Sequence, residues 1–317
     1  MTEVPPVEPT VELLALAHLL PKPTAFVFGG GGSWGALHWG ILRALAETDI
    51  RPDLVVGTSV GALNGAIAAA DPEHSAEILG RLWPSVTRDQ VFPGGILSAL
   101  NTLRTSNGWL YDSANLAQYL ASRLPVSTIE ELRLPYVAIA TDFEDGTRVE
   151  IDSGDLLSAL LASSAIPGIF PWIDRDGRRL VDGGLVSNVP TDIARKRGAA
   201  SIVVLDCGLF GVSPRLTDSI IDILAQTVAI QSRQQVINDL AGCLDVPVLW
   251  LAGPELISTN QLDFSHTIPL ADAAYAASRD LLRSLPGAGP LATGLYGGPA
   301  LVREDPRIAG SARSPES

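Results

Sequence analysis

Gly57-Thr58-Ser59-Val60-Gly61 is the stretch that most limits what this chain can fold into. Leu54 to Val56 before it reads as a strand, and the small-residue run Ala62 to Ala70 after it reads as a helix. The five residues between must therefore make a tight strand-to-helix turn. Glycines two residues to either side let the backbone turn without a Cβ clash and project the serine outward. A serine is a poor nucleophile at neutral pH unless its Oγ is exposed, desolvated and beside a base. The following helix aims its N-terminal amides at the same place, which favours negative charge developing there. Ser59 is thus a candidate nucleophile.

The neighbouring pattern extends this unit into an α/β domain. Ala25 to Phe28 is a short β-type run opening into Gly29-Gly30-Gly31-Gly32-Ser33-Trp34-Gly35, followed by a helix from Ala36 to Glu47 and then the elbow. Strand, loop, helix, strand, turn, helix is a βαβ order with parallel strands. Near-continuous apolar strands, Ile202 to Leu205 and Val246 to Leu251, suit a sheet covered on both faces. Tyr136 to Ala140 and Thr147 to Ile151 predict a hairpin across Asp145-Gly146, and Thr217 to Leu244 and Asp272 to Leu285 predict helices. Residues 84–112 break the pattern with Pro84, Pro93-Gly94-Gly95 and Asn107-Gly108. That segment carries Phe92, Trp109 and Tyr111 and reads as a cap over the sheet. Residues 1–23 read as a leader with one short helix, and 24–285 as the catalytic domain. Residues 286–317, rich in Gly, Pro, Ala and Ser without periodicity, are expected to be a disordered tail.

Composition narrows the partners. A chain of 317 residues that is 46% hydrophobic can bury one large core. Its formal charge of −13, with Lys22 and Lys196 the only lysines, argues against nucleic acid, since no basic stripe offsets phosphate repulsion. Cys207 and Cys243 are far apart, with neither CxxC nor zinc spacing, as expected of a reducing compartment. The apolar run Val11 to Leu20 contains Glu12 and His18 and lacks a basic flank, so it makes a poor signal peptide. No stretch approaches the ~18 uninterrupted apolar residues of a spanning helix. A cytoplasmic location is the expectation.

Two features bear on the chemistry around Ser59. Gly30-x-Gly32-x-x-Gly35 between a strand and a helix satisfies a dinucleotide fingerprint, which also needs an acidic residue at the end of the next strand. That strand ends in Gly57-Thr58-Ser59 instead. The other use of such a loop is an oxyanion hole, in which glycine amides approach a carbonyl oxygen and aim at its developing charge. A base for Ser59 is harder to find among the histidines. His18, His74 and His266 fall in the leader, on a turn and before a helix, and His38 lies one turn into the helix after the glycine loop. By elimination the base is a carboxylate. Asp182 ends the strand-like run Arg178 to Val181 and is followed by Gly183 and Gly184, where an aspartate also serves to cap a turn.

The glycine-rich loop, the serine elbow and Asp182-Gly183-Gly184, in this order, resemble the patatin-like phospholipase family. Ala162-Ser163-Ser164-Ala165-Ile166-Pro167-Gly168-Ile169-Phe170-Pro171 and Asn188-Val189-Pro190 resemble it as well. The likeness covers about residues 24–208 and the final helix. It implies a three-layer α/β/α fold with a mostly parallel sheet and a Ser59–Asp182 dyad without histidine. It also implies an oxyanion hole from Gly30, Gly31 and Gly32, with Gly35, Gly57, Gly61, Gly183 and Gly184 supporting the motifs. Many members carry Arg or Lys where this chain has Trp34, which leaves phospholipids, other fatty-acyl esters and thioesters open as substrates. The resulting expectation is a serine acyl hydrolase with no metal and no organic cofactor. It would act on a lipid or fatty-acyl ester and touch membranes or lipid aggregates transiently. Its substrate groove is expected at Trp34, Phe92, Trp109, Tyr111 and Phe170, with Ile169 and Trp172 near the opposite wall. An acyltransferase on the same scaffold and a non-catalytic lipid-binding protein are the alternatives.

Overall fold

A computed structural model describes residues 14–92, 109–208, 220–253, 261–287 and 289–313. The strands are β1 (Thr24–Phe28), β2 (Leu54–Thr58), β3 (Tyr136–Asp142), β4 (Arg148–Ile151), β5 (Ile173–Arg175), β6 (Arg178–Asp182), β7 (Ser201–Leu205), β8 (Pro247–Leu251), β9 (Gly294–Gly297) and β10 (Ala312–Arg313). They form one sheet in the order β10-β9-β8-β7-β1-β2-β3-β6-β5, with β4 also on β3. All pairings from β10 to β3 are parallel, while β4, β5 and β6 pair antiparallel. The expected hairpin is β3–β4.

Alternation along the strands makes the three layers. Phe26, Phe28, Val55, Val203, Leu205, Leu249 and Leu251 face one core, and Ala25, Val27, Val56, Ile202, Val204, Val248 and Trp250 face another. The central strands β1, β2, β7 and β8 are buried along their whole length and largely apolar because both their faces are covered. The first face carries α1 (Ala36–Ala46), α2 (Val60–Ala70), α3 (Ser75–Leu82), α4 (Arg88–Val91), α5 (Ala114–Ala121) and α6 (Leu156–Ser163). On the second lie α7 (Thr191–Lys196) and α8 (Ile220–Ala241), while α9 (Thr267–Ser284) returns to the first, against α1. A short α10 (Ala300–Arg303) adds Val302 to the second core.

Described residues of the leader and of the expected tail both pack into the fold. Leu16, Leu19 and Leu20 of the leader are buried in the first core, and Leu291 N–H donates to Leu19 O. The disordered tail expected over 286–317 is corrected for residues 289–313. There β9 pairs with β8, Val248 opposite Leu295, and Leu295, Val302 and Ile308 are fully buried. Four residues flanked by glycine and proline are too short for composition to show as a strand. Pairing with a preformed sheet edge makes them one.

The register of β3 positions the chemistry. Its partner β4 occupies one edge from Ala138 to Thr141. On the other edge β2 pairs up to Thr58 opposite Ile139, and β6, running the opposite way, takes over with Asp182 opposite Ala140. The two strands therefore meet head to head, and their last residues face consecutive positions of β3.

Candidate active site

Ser59 follows β2 as the N-cap of α2, with φ 55° and ψ −128°. Side chains rarely adopt that backbone conformation, and it persists only where neighbours hold it. Ser59 N–H donates to Ser163 Oγ at 2.9 Å, and Ser163 Oγ donates to Ile139 O at 2.6 Å, the carbonyl at which β2 leaves the edge of β3. Gly57 and Gly61 permit the close packing behind the turn: a methyl at Gly61 would lie 2.2 Å from Phe28 O. The turn thus presses α2 onto the end of β1.

Asp182 arrives from the opposite direction. Ser59 Oγ donates to its Oδ2 at 2.6 Å, and Gly184 N–H donates to its Oδ1 at 2.8 Å. The aspartate therefore caps the turn at Gly183-Gly184 and pairs with the serine, one oxygen for each. Burial pushes its carboxyl up to about 6, although the bonds from Ser59 and Gly184 favour the charged form. Gly183 lies against Ile139 O, where a side chain would collide with the strand. Asn188 ties this turn to the glycine loop: Gly30 N–H donates to Asn188 O at 3.1 Å, and Asn188 Nδ2 donates to Gly30 O at 3.3 Å.

No histidine competes for Ser59. His18 is exposed, and His74 and His266 are paired with Asp71 and Asp263 on the surface. His38 is fully buried between Asn64 Nδ2 at 3.0 Å and Cys207 Sγ at 3.1 Å. Burial pushes its imidazole down to about 3, so it is neutral. Among the described residues no group of three or more His, Cys, Asp or Glu is placed to hold a metal ion.

The glycine loop keeps two amides free. Gly29 N–H donates to Leu205 O, Ser33 N–H to Gln261 O and Trp34 N–H to Gly31 O. Gly31 and Gly32 N–H have no acceptor among the described residues, and Gly32 lines the same cavity as Ser59. Gly30 departs from expectation, because its N–H is already engaged by Asn188. Its lack of a side chain is what matters, since a methyl there would lie 2.5 Å from Asn188 Oδ1 and 3.3 Å from Ser59 Cβ. Gly35 likewise sits against Val60 and Trp83.

A cavity of about 130 Å³ lies against Ser59. Val60, Leu63, Asn64 and Ile67 line it from α2, at the spacing of one helix face. At 1.5 Å per residue that face is roughly 10 Å long. Leu116 and Leu120 of α5, Leu160 of α6, Phe92, Phe170 and Phe264 enclose it. Phe92 and Phe170, both expected at the groove, stack at 5.4 Å there.

The other residues expected at the groove do not line this cavity. Trp34 is 3% exposed and belongs to the first core, not the cavity wall. Tyr111 packs on Phe92 at 5.4 Å and accepts a hydrogen bond from Arg88 Nη2 at its hydroxyl, outside the lining. Leu110 N–H donates to Gly168 O and Tyr111 N–H to Ile169 O. That pairing sets Trp109 edge-on to Trp172 at 5.9 Å, in a surface cluster with Phe143, and leaves Ile169 and Trp172 off the wall. Part of the expected cap, 93–108, lies outside the described residues. Among the described residues α5, just beyond the cap, supplies a wall instead. Sequence reasoning assigned no role to Ser163, Asn188, Leu63, Ile67 or Phe264. The apolar face Val60-Leu63-Ile67 was the available signal, and it reads equally as an ordinary core helix.

Residues 26–195 match the model of the patatin-like phospholipase family. The chain belongs to that family. Patatin-like phospholipase domain-containing protein 7 of Mus musculus is 34% identical over 194 residues, 58% of this chain and 13% of that protein. Protein 6 of the same series, from Homo sapiens, is 32% identical over 198 residues, 61% of this chain and 14% of the relative. Neuropathy target esterase sws of Drosophila melanogaster is 30% identical over 192 residues, 57% of this chain and 13% of the relative. These alignments thus span about one seventh of the relatives' length or less. Among solved structures, VipD from Legionella pneumophila aligns with a TM-score of 0.43 and 12% identity, over 83% of this chain and 67% of that one.

Proposed function

We propose that this patatin-like chain is a serine hydrolase that cleaves fatty-acyl esters through a Ser59–Asp182 dyad and an acyl-serine intermediate. The observation that carries the reading is the 2.6 Å bond from Ser59 Oγ to Asp182 Oδ2 beside an apolar cavity. Asp182 Oδ2 takes the Ser59 proton as Oγ attacks the acyl carbon. The oxyanion forms against the free amides of Gly31 and Gly32, within the field of the α2 N-terminus. As the intermediate collapses, the leaving alcohol takes the proton from Asp182 and the acyl group stays on Ser59. Water then enters, gives a proton to Asp182 and adds to the acyl carbon. Collapse releases the carboxylic acid and returns the proton to Ser59 Oγ. The acyl chain occupies the cavity along α2.

Relatives named phospholipase and esterase support an ester of a lipid acid as substrate. A fluorophosphonate probe tests the reading directly. It should label Ser59, and Ser59→Ala should abolish both labelling and ester hydrolysis in a folded protein. Full hydrolysis by a folded Ser59→Ala protein would end the assignment.

A further inference from the structure

Three buried side chains outside the Ser59–Asp182 pair, one of them the cavity-lining Asn64, form one hydrogen-bonded line across the base of the glycine loop. Cys207 S–H donates to Gly29 O at 3.4 Å, and Cys207 Sγ meets His38 Nε2 at 3.1 Å. Asn64 Nδ2 lies 3.0 Å from His38 Nδ1 and 2.9 Å from Gly35 O. A carbonyl only accepts, so the Asn64 atom at Gly35 O is the amide nitrogen, whose second proton goes to His38 Nδ1. That leaves the ring proton on Nε2, facing Cys207 Sγ, and the thiol proton free to reach Gly29 O. Every donor in the line has an acceptor, and the line runs from the first residue of the loop to the last.

We propose that Cys207, His38 and Asn64 are positioning residues that hold the glycine loop at both ends, so that the Gly31 and Gly32 amides stay aimed at the oxyanion. This rests on the reading of the loop as an oxyanion hole. The loop needs an external brace, because the two amides left for substrate are the two that no acceptor among the described residues holds. Cys207 also backs Gly31 directly: a methyl on Gly31 would lie 2.5 Å from Cys207 Cβ. The line works only with neutral partners, since a proton on His38 Nδ1 would oppose the Asn64 amide. Full burial keeps His38 neutral and the Cys207 thiol protonated, which also rules out a thiolate nucleophile here.

The test compares Cys207→Ala with Cys207→Ser, which differ by one hydroxyl able to donate to Gly29 O. On a medium-chain p-nitrophenyl ester, Cys207→Ala should lose ~10-fold or more in kcat at unchanged KM, as expected for misplaced catalytic groups. Inhibition by an alkyl trifluoromethyl ketone, which forms an oxyanion adduct, should weaken by the same factor, while the matching methyl ketone binds as before. Cys207→Ser should stay near wild type. Wild-type kcat in Cys207→Ala, a loss confined to KM, or equal losses in both variants would each overturn the proposal. Asn64→Leu probes the other end if Cys207→Ala does not fold, and the ratio of the two ketones then removes any effect on cavity shape. Amide exchange at Gly30, Ser33 and Trp34 reads the brace without turnover and should quicken in Cys207→Ala but not in Cys207→Ser. Unchanged exchange sinks the brace even if the wild type proves not to hydrolyse esters. Such inactivity would sink the proposed function alone.

Discussion

A buried carboxylate beside a serine is a better proton acceptor than one in water, provided it is still ionised at the working pH. Asp182, held near 6 by burial, meets both conditions at neutral pH. Turnover should therefore rise with pH through about 6 and level off above it. Asp182→Asn keeps the bond to Gly184 and removes the acceptor, so kcat should fall by ~10²-fold or more. An Asp182→Asn enzyme within a few-fold of wild type would rule out this base. The same burial has a stability consequence. A carboxyl whose folded value lies above its unfolded value of about 3.9 contributes stability that is fully present below the unfolded value and lost as pH rises through the folded one. Above about pH 7, Asp182→Asn should thus stabilise the fold by on the order of 2–3 kcal/mol, read as a higher Tm, and by much less near pH 4. Equal Tm shifts at both pH values would show that the ionised carboxylate is not the destabilising group. The tight turns that carry Ser59 and Asp182 were legible in the sequence because each residue sits among glycines. The engagement of the Gly30 N–H was not, because the Asn188 carbonyl that accepts it is 158 residues away and reaches it only through the sheet.

At the scale of elements, the site is a consequence of two strands ending on the same edge of β3. Strand β2 alone delivers a serine on a strained turn, and β6 alone delivers a capped aspartate. Only their shared edge brings Ser59 Oγ to Asp182. The βαβ order, the hairpin and the long helices were readable from periodicity, whereas this head-to-head register depends on strands far apart in the chain. The cavity beside Ser59 shows the same divide. Aromatic residues in a loop-rich segment suggested a groove, yet residues of α2, α5 and α6 and three phenylalanines line the cavity. If the acyl chain follows α2, rates should rise from acetyl to medium-chain esters. Ile67, near the far end of the face, then sets the length. Ile67→Trp should bring decanoyl hydrolysis down toward the acetyl rate and leave acetyl hydrolysis near wild type. Trp109→Ala, by contrast, should leave the chain-length profile unchanged, since Trp109 packs on Trp172 away from the cavity. A flattened profile in Trp109→Ala with an intact one in Ile67→Trp would move the acyl site back to the loop.

The whole molecule closes its sheet with residues whose composition looked least able to fold. In β9, Leu295 is fully buried opposite Val248, in the same core as Trp250, Val302 and Ile308. Without β9 the edge of β8 would present unpaired backbone groups, and the second core would lose one of its walls. Gly294 and Gly297, expected within a disordered tail, have φ of 127° and 77°, and a methyl on either would lie within 2.6 Å of a carbonyl, Ser311 O or Trp250 O. Their conformation and close packing are the reason glycine is needed at the ends of so short a strand. The segment is thus part of the core, and its perturbation should register globally. Leu295→Ala should cost about 2–5 kcal/mol, the range for emptying a buried leucine site. Leu295→Asp should cost more, because it also places a carboxylate among apolar neighbours. Calorimetry on both variants decides the matter, with Tm expected to fall in that order. Ser59 lies at the end of β2, three strands away from β8, so residual folded protein at low temperature should keep its kcat per active site, counted by fluorophosphonate titration. An unchanged Tm in Leu295→Asp would return residues 289–313 to the status of a tail, and a lost kcat in a fully folded variant would tie this edge to the site.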